Sequence, residues 1–399
     1  MPFAVEPTSI PEVRIVRPRR FGDDRGWFAE LLQADAFAEL GLPTAFRQVN
    51  QSRSERGVVR GLHFQWDPPQ GKLMRVVRGR AFLVAVDIRP GSPTLGRSVT
   101  VEGTAYRGRI ELIPAPGGGV TAVNVVHLED YLLGVVPLEI GPRTSAELAA
   151  IAAQAVAART YAVAHLGGHA EIGFDLYGTV ADQVYGGRDA ERPEASDAVR
   201  STAGRILTYG GVPIRAYYHS TCGGRTAAVD EVMDRVPAPY LRSVADRSPD
   251  GSDWCAISPR YRWTEEWSAE RLNGPVRDEL ARMFGTESAL IGPIEELVIT
   301  GHTESGRVRS LAFRGPASEL VLDRLDIRFA LRDEEGRILG STDFDLVPTG
   351  DGRTKISGRG YGHGAGMCQW GAIARARAGQ SAEQILAVYY PGATLSRIY

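Results

Sequence analysis

The hydrophobic pattern of this chain changes character along its length. Through roughly the first hundred residues, short apolar runs such as Gly57-Val58-Val59, Leu73-Met74-Arg75-Val76-Val77 and Ala81-Phe82-Leu83-Val84-Ala85-Val86 are bounded by Gly, Pro and Asp. That spacing predicts a β-rich sandwich or barrel, interrupted by one helix over Gln33 to Leu40. A turn cluster at Pro90-Gly91-Ser92-Pro93 follows, and a second β-like stretch runs from Val99 to Val126. From Thr144 the period becomes helical: Thr144 is placed to cap the first turn, Glu147 reaches back to it, and the alanine-rich pattern stops at Gly167-Gly168. Between Ile206 and Tyr218 a strand pair is predicted with Tyr209-Gly210-Gly211 as its turn. Helical and then alternating patterns fill Ala269 to Val347, and two short helices close the chain, one after Gly366 and one from Ser381 to Tyr390. The expected class is therefore an α+β multidomain chain.

Composition narrows the function. With 399 residues and 43% hydrophobic content, the chain is long enough for two or three folded domains. A net charge of -2 gives no basic surface for nucleic acid or an anionic membrane, and points to a neutral or small substrate. The most apolar long stretch, Ala149 to Ala164, contains Gln154 and Arg159, so it reads as a helix of a folded core and not as a membrane span. Met1 to Pro7 has no basic stretch followed by an apolar run, so no secretory signal is expected there. Lysine occurs only at Lys72 and Lys355; the other cations are arginine.

Two unrelated sets of polar and glycine motifs meet at a seam near Gly96. Before it stand Phe21-Gly22-Asp23-Asp24-Arg25-Gly26-Trp27-Phe28, Arg60-Gly61-Leu62-His63-Phe64-Gln65 and Gln70-Gly71-Lys72-Leu73. Together these resemble dTDP-4-dehydrorhamnose 3,5-epimerase, a jelly-roll (cupin) dimer acting on a nucleotide-linked keto sugar. The resemblance implies that His63 would remove the proton beside the ketone, that Lys72 would steady the enolate oxygen, and that Arg25 and Arg60 would contact the sugar nucleotide. Proton abstraction beside a carbonyl needs such a base and such a cation. The family's tyrosine acid and the aspartate that orients its histidine lie beyond the Ser92-Pro93-Thr94 segment, where this chain has changed motif. The expectation is a truncated jelly-roll segment over residues 1–97, with a vestigial site and no epimerase activity.

After the seam stand Leu128-Glu129-Asp130-Tyr131-Leu132 leading to Val136-Pro137-Leu138-Glu139, then Gln154-Ala155-Val156-Ala157-Ala158-Arg159-Thr160-Tyr161 and Asp182-Gln183-Val184-Tyr185. Tyr218-His219-Ser220-Thr221-Cys222-Gly223-Gly224 and Gly360-Tyr361-Gly362-His363-Gly364-Ala365-Gly366 complete the set. Residues 98–399 resemble the stage II sporulation protein D / LytB (amidase enhancer) family. The resemblance implies a lytic transglycosylase that cleaves peptidoglycan glycan strands, particularly those without stem peptides, between N-acetylmuramic acid and N-acetylglucosamine. Its catalytic glutamate matches Glu139. On the residues alone, Glu139 lies in an apolar run that would raise its pKa and keep it an acid, while Glu129 or Asp130 in that role, or Glu139 as a helix cap, are competing readings.

The expected groove is lined by Gln154, Arg159, Tyr161, Gln183, Tyr185, His219, Ser220, Tyr361 and His363. Gln154, Tyr161 and His165 share one face of the long helix, although the same spacing also fits the solvent stripe of an alanine-rich helix. The glycine-dense run 360–366 is read as backbone approaching a saccharide, with a purely structural turn as the alternative. Some family members hold zinc with a histidine and two cysteines just before the Gln-Val-Tyr motif. Tyr177 and Asp182 stand at those cysteine positions, so no metal or other cofactor is expected. Cys222 and Cys255 are expected to form a disulfide closing a loop of about 33 residues, worth about 3 kcal/mol, with Cys368 left as a lone buried thiol. The implied partners are glycan strands and, in a non-catalytic reading, a cell-wall amidase. The two resemblances point to opposite compartments, the cell envelope for the second part and the cytoplasm for the first.

Overall fold

A computed structural model describes residues 2–23, 26–54, 58, 60–61, 63–65, 67–77, 83–101, 106–114, 120–289, 291–332, 335–349 and 353–399. The chain divides into two compact units, residues 1–106 with 110–124, and residues 107–109 with 125–399. The first unit thus ends well after the boundary at residue 97 expected from the motifs.

In the first unit the helix Ala34–Glu39 forms as expected, with the Gln33 side chain accepting the Ala36 N–H at 2.6 Å. Its Phe37 packs edge-on against Phe3, ring centroids 5.0 Å apart, to make a small core. The described strands pair only two by two: Phe3–Pro7 with Arg14–Pro18, Phe21–Asp23 with Gly26–Phe28, Leu83–Val86 with Ser98–Val101, and Arg109–Pro114 with Val120–Val125. A sandwich buries apolar faces by laying one continuous sheet on another, and among the described residues none of these pairs has a third strand. Leu73 to Val77 carries no strand, Gly57 and Val59 lie outside the described residues, and Phe28 and Phe64 are 66% and 67% exposed.

The second unit holds two cores. The first is helical, built from Leu128–Ile140, Leu148–Ala164, Pro193–Ser201, Gln369–Arg377 and Ala382–Tyr389. A small antiparallel sheet, in the order Val212–Pro213, Arg205–Tyr209, Thr394–Arg397, lies with it. The second core carries two three-stranded antiparallel sheets: Arg262–Trp267, Thr354–Arg359, Phe344–Pro348, and Glu296–His302, Val308–Arg314, Glu319–Asp323. It is a chain insertion, because both ends of segment 262–359 are paired to each other, Arg262 opposite Arg359.

The predicted long helix is Leu148–Ala164, preceded by a 3-10 turn at Ser145–Glu147 in which Glu147 Oε2 accepts the Thr144 N–H at 2.9 Å. Helix Leu128–Ile140 escapes the periodicity reading because it is apolar nearly all round and holds Gly134 and Pro137. It is started by the His127 side chain, which accepts the Glu129 N–H, and by Glu129 and Asp130 at the positive end of the helix dipole. Pro137 lies inside the helix and cannot donate to the carbonyl one turn back, and Gly141 at φ 75° ends the helix.

The long helix has no polar groove stripe. Almost every residue from Ala150 to Ala162 is buried, including Gln154 and Arg159 at 0% exposure. Alanine makes this possible by letting neighbouring elements approach closely. Arg159 is neutralised inside the fold: its Nε and Nη2 each donate to Glu129 at 2.7 Å, and it also donates to the carbonyls of Val199 and Arg205.

The glycine run 360–366 is the return crossing from the second core to the first. Gly360, Gly362, Gly364 and Gly366 have φ of 74°, 109°, 90° and 71°. At Gly366 a Cβ would lie 1.9 Å from the Tyr217 carbonyl oxygen, so only glycine fits. The crossing pairs with segment 217–222 through Tyr218 opposite Met367, His219 opposite Cys368, and a bridge between Thr221 and Tyr361. The amides of Tyr361, Gly362 and Met367 are spent on the carbonyls of Thr221, Gly340 and Tyr217. The close approach expected for a saccharide is made by the protein's own backbone.

Removing Arg159 strands the Glu129 carboxylate in a partly buried position. Arg159→Met is therefore expected to destabilise the second unit by about 3 kcal/mol, seen as a lower urea midpoint with unchanged slope.

Candidate functional site

Glu139 stands at the end of helix Leu128–Ile140, half-buried among apolar neighbours. Its Oε1 accepts the Val184 N–H at 2.9 Å, and its own carbonyl accepts Gln369 Nε2 at 2.9 Å. The Tyr218 hydroxyl completes the set: it accepts Gln183 Nε2 at 2.9 Å, which leaves its hydrogen to donate to Glu139. Gln183 is itself fixed, donating to the Ala158 carbonyl and accepting from the Tyr131 hydroxyl at 3.2 Å. Burial pushes the Glu139 carboxyl up to about 7, against the Val184 N–H and the Tyr218 hydroxyl, which pull it down. No second carboxylate is among the groups that shift it.

Close packing brings these parts together. The loop carrying Val184 and Tyr185 lies against the helix at Gly134, where a Cβ would sit 2.6 Å from the Tyr185 ring. Tyr185 also meets Tyr131, ring centroids 4.9 Å apart. Glu129, by contrast, is held below the usual carboxylate range: burial opposes this, but hydrogen bonds from Arg159 and Tyr399 prevail. Asp130 lies 3.8 Å from Arg107. Of the two glutamates in this helix, Glu139 is the one poised to carry a proton near neutrality.

The structure separates the other expected groove residues into two groups. Tyr185, Ser220, Tyr361 and His363 are half-buried. Gln154, Arg159, Tyr161, Gln183 and His219 are buried and support the site from behind. Gln154 Oε1 accepts from Gln369, and Tyr161 stacks on His165 at 3.9 Å and donates to Asp182. His219 Nδ1 lies 3.1 Å from the Ala365 carbonyl and its ring 5.5 Å from that of His363. Burial holds His363 down to about 3, with the Arg328 and Arg307 charges adding to it, so both imidazoles of this pair stay neutral. Tyr361 carries the Arg260 guanidinium over its ring at 4.0 Å. An open depression that includes Arg215, Tyr217, Pro237 and Tyr240 does not include Glu139.

Tyr131, Tyr218, Gln369 and the Val184 amide were not singled out by the sequence, although each lies within or beside one of its motifs. What marks them is contact with Glu139 or Gln183, which only the fold supplies. In the first unit, Arg60, His63 and Lys72 are exposed and lie outside strands, while Arg25 lies outside the described residues.

The family's zinc set does not fit here. Asp182 spends Oδ1 on the Tyr161 hydroxyl at 3.0 Å and Oδ2 on the Tyr177 N–H at 2.8 Å and His169 Nε2 at 3.3 Å. The expected disulfide is also absent. Cys222, Cys255 and Cys368 are all free and buried, with Cys222 Sγ 3.5 Å from Cys255 Sγ. Cys368 is not solitary, because the crossing at residues 360–368 carries it onto Cys222.

Residues 7–119 match the dTDP-4-dehydrorhamnose 3,5-epimerase family, residues 116–209 the stage II sporulation protein family, and residues 253–366 a domain of unknown function. The first two matches meet at residues 116–119, beyond the expected boundary at 97. The epimerase of Pseudomonas aeruginosa is 51% identical over 108 residues, 27% of this chain and 60% of that protein. The amidase enhancer of Bacillus subtilis is 31% identical over 338 residues, 77% of this chain but 46% of that relative, so the chain spans under half of it. Stage II sporulation protein D of Bacillus subtilis is 31% identical over 290 residues, 69% of this chain and 76% of that relative. Behind an epimerase-like N-terminal region, the chain belongs to the stage II sporulation protein D family.

Proposed function

We propose that the second unit is a lytic transglycosylase acting on peptidoglycan glycan strands, with Glu139 as its acid and base. The observation that carries this reading is a half-buried glutamic acid, held by the Val184 N–H and the Tyr218 hydroxyl, whose carboxyl is pushed up to about 7 by burial. Ordinary glycoside hydrolysis uses two carboxyls, one as acid and one as nucleophile or base. A single carboxyl suffices when the substrate supplies its own nucleophile. Glu139 protonates the glycosidic oxygen as the C1–O bond breaks. The carboxylate so formed takes the proton of the sugar's 6-hydroxyl as O6 bonds to C1, giving a 1,6-anhydro end and returning Glu139 to its acid form. No water is consumed. Tyr218 and the Val184 amide hold the carboxyl in position and moderate its basicity between the two steps. The first unit adds no epimerase chemistry in this proposal, since an exposed His63 lacks the shielded pocket that proton abstraction beside a carbonyl requires.

Digestion of stem-peptide-free glycan strands is expected to release anhydromuramyl ends, and Glu139→Gln to lower that release at least about a hundredfold. Ordinary reducing ends would reject the mechanism. Glycan binding that survives in the variant, with no cleavage by the unaltered protein, would favour a non-catalytic enhancer of an amidase, the role in the name of the Bacillus subtilis relative.

The acid form is present below about 7, so kcat/KM is expected to fall as pH rises through that value. Tyr218→Phe removes a hydrogen bond that favours the carboxylate, so the descending limb should move to higher pH. A limb that stays fixed or moves down would contradict the assignment.

Stability changes in the same pH range. A carboxyl whose folded pKa exceeds its unfolded value of 4.5 binds its proton more tightly when folded, so stability declines as pH rises from about 4.5 to about 7. Glu139→Gln avoids this cost. It should raise the melting temperature at pH 8, by up to about 3 kcal/mol in stability, and leave it nearly unchanged at pH 4.

A further inference from the structure

Three cysteines and one aspartate from four separate segments converge inside the helical core. The Sγ atoms of Cys222, Cys255 and Cys368 and a carboxylate oxygen of Asp246 all lie within 4.8 Å of one another, and all four residues are buried. Cys222 Sγ is 3.5 Å from Cys255 Sγ and 3.3 Å from Asp246 Oδ2. Ligand atoms around tetrahedral zinc, with arms of about 2.3 Å to sulfur and 2.0 Å to oxygen, stand about 3.5–3.8 Å apart. The Cys222–Cys255 and Cys222–Asp246 separations are close to these spacings, and no pair of the four donor atoms is more than 4.8 Å apart.

Their surroundings supply donors that a bound thiolate would use. Backbone N–H groups are aimed at the sulfurs: Cys222 N and Gly371 N donate to Cys368 Sγ at 3.2 and 3.3 Å, and Gly224 N donates to Cys222 Sγ at 3.4 Å. A thiol sulfur is a weak acceptor, whereas a thiolate gains from each such donor. Asp246 is held from behind in the manner of a metal-binding carboxylate. Its Oδ1 accepts from Arg375 Nη2 at 3.0 Å and from the Tyr389 hydroxyl at 2.8 Å, while Oδ2 turns toward Cys222. Arg375 also offsets part of the negative charge that three thiolates and a carboxylate leave around a divalent ion.

We propose that Cys222, Asp246, Cys255 and Cys368 form a closed, structural zinc site. All four donors come from the protein and the cluster is buried, so no position is left open for a substrate, as is typical of structural zinc. Binding releases the thiol protons to solvent. The ion would fasten the return crossing to segment 222–255 and fix the start of helix Gln369–Arg377, whose first residue holds the Glu139 carbonyl. The site is distinct from the cluster of His169, Tyr177 and Asp182, and the proposal does not depend on glycan cleavage.

The test is made on the full chain, purified under reducing conditions without a metal-affinity step. Elemental analysis is expected to find one zinc per chain. Displacing that zinc with a mercurial should expose it to a colorimetric chelator as the thiols react. Cobalt(II) added to the zinc-stripped protein should give sulfur-to-cobalt charge-transfer and tetrahedral d–d bands. Asp246→Asn, which preserves shape, should weaken cobalt binding at least about tenfold while keeping the charge-transfer bands. A folded wild-type chain that holds no zinc and binds no cobalt overturns the proposal. So does peptide mapping that finds Cys222 joined to Cys255 in metal-free, folded protein.

Discussion

The second unit depends on one close crossing, where residues 360–368 run against residues 217–222. Glycine at 366 lets the two backbones meet with less room than a methyl group needs, and the parallel pairing of Tyr218 with Met367 and His219 with Cys368 locks the register. Both chemically interesting clusters of this unit draw residues from that contact. Tyr218 points one way, to Glu139; Cys222 and Cys368 meet on the other side; Gln369, next along, holds the peptide of Glu139. A shift of register by one residue would exchange the faces of all of them at once.

Charge is placed in this core with economy. Arg159 is fully buried, but its guanidinium is matched by a carboxylate and several carbonyls. Glu139 has two hydrogen-bond donors and no cation, so burial leaves it a weak acid near neutrality. The two glutamates of helix Leu128–Ile140 therefore have opposite states for a plain reason. Glu129 has an arginine and Glu139 does not.

Much of this was readable in the sequence. Glu139 was marked by the family resemblance; its apolar sequence neighbours Val135, Val136, Pro137 and Ile140 agreed with that choice but did not by themselves separate it from Glu129 or Asp130. The helix ends at Thr144 and Ser381 were marked by capping residues, which act locally. The groove was less readable. Gln154 and Arg159 are polar residues at helical spacing, and spacing does not tell a ligand-facing stripe from polar side chains satisfied inside a core. The glycine run misled for a related reason, since glycine reports close approach but not what approaches. The three cysteines lie 33 and 113 residues apart in sequence, and their convergence is a product of the crossing.

The insertion of the second core has a consequence for the order of folding. Helix Leu148–Ala164 emerges early in synthesis, yet it packs against Gln369–Arg377 and Ala382–Tyr389, more than two hundred residues later. The helical core cannot close until nearly the whole chain is made. Segment 262–359, with ends paired to each other and apolar residues of its own, has no such dependence and can fold as a local unit first. Folding it brings Arg262 and Arg359 together, which shortens the effective loop between Cys255 and Cys368. The least chemically active part of the second unit thereby becomes the clasp that lets the distant halves of its core find each other.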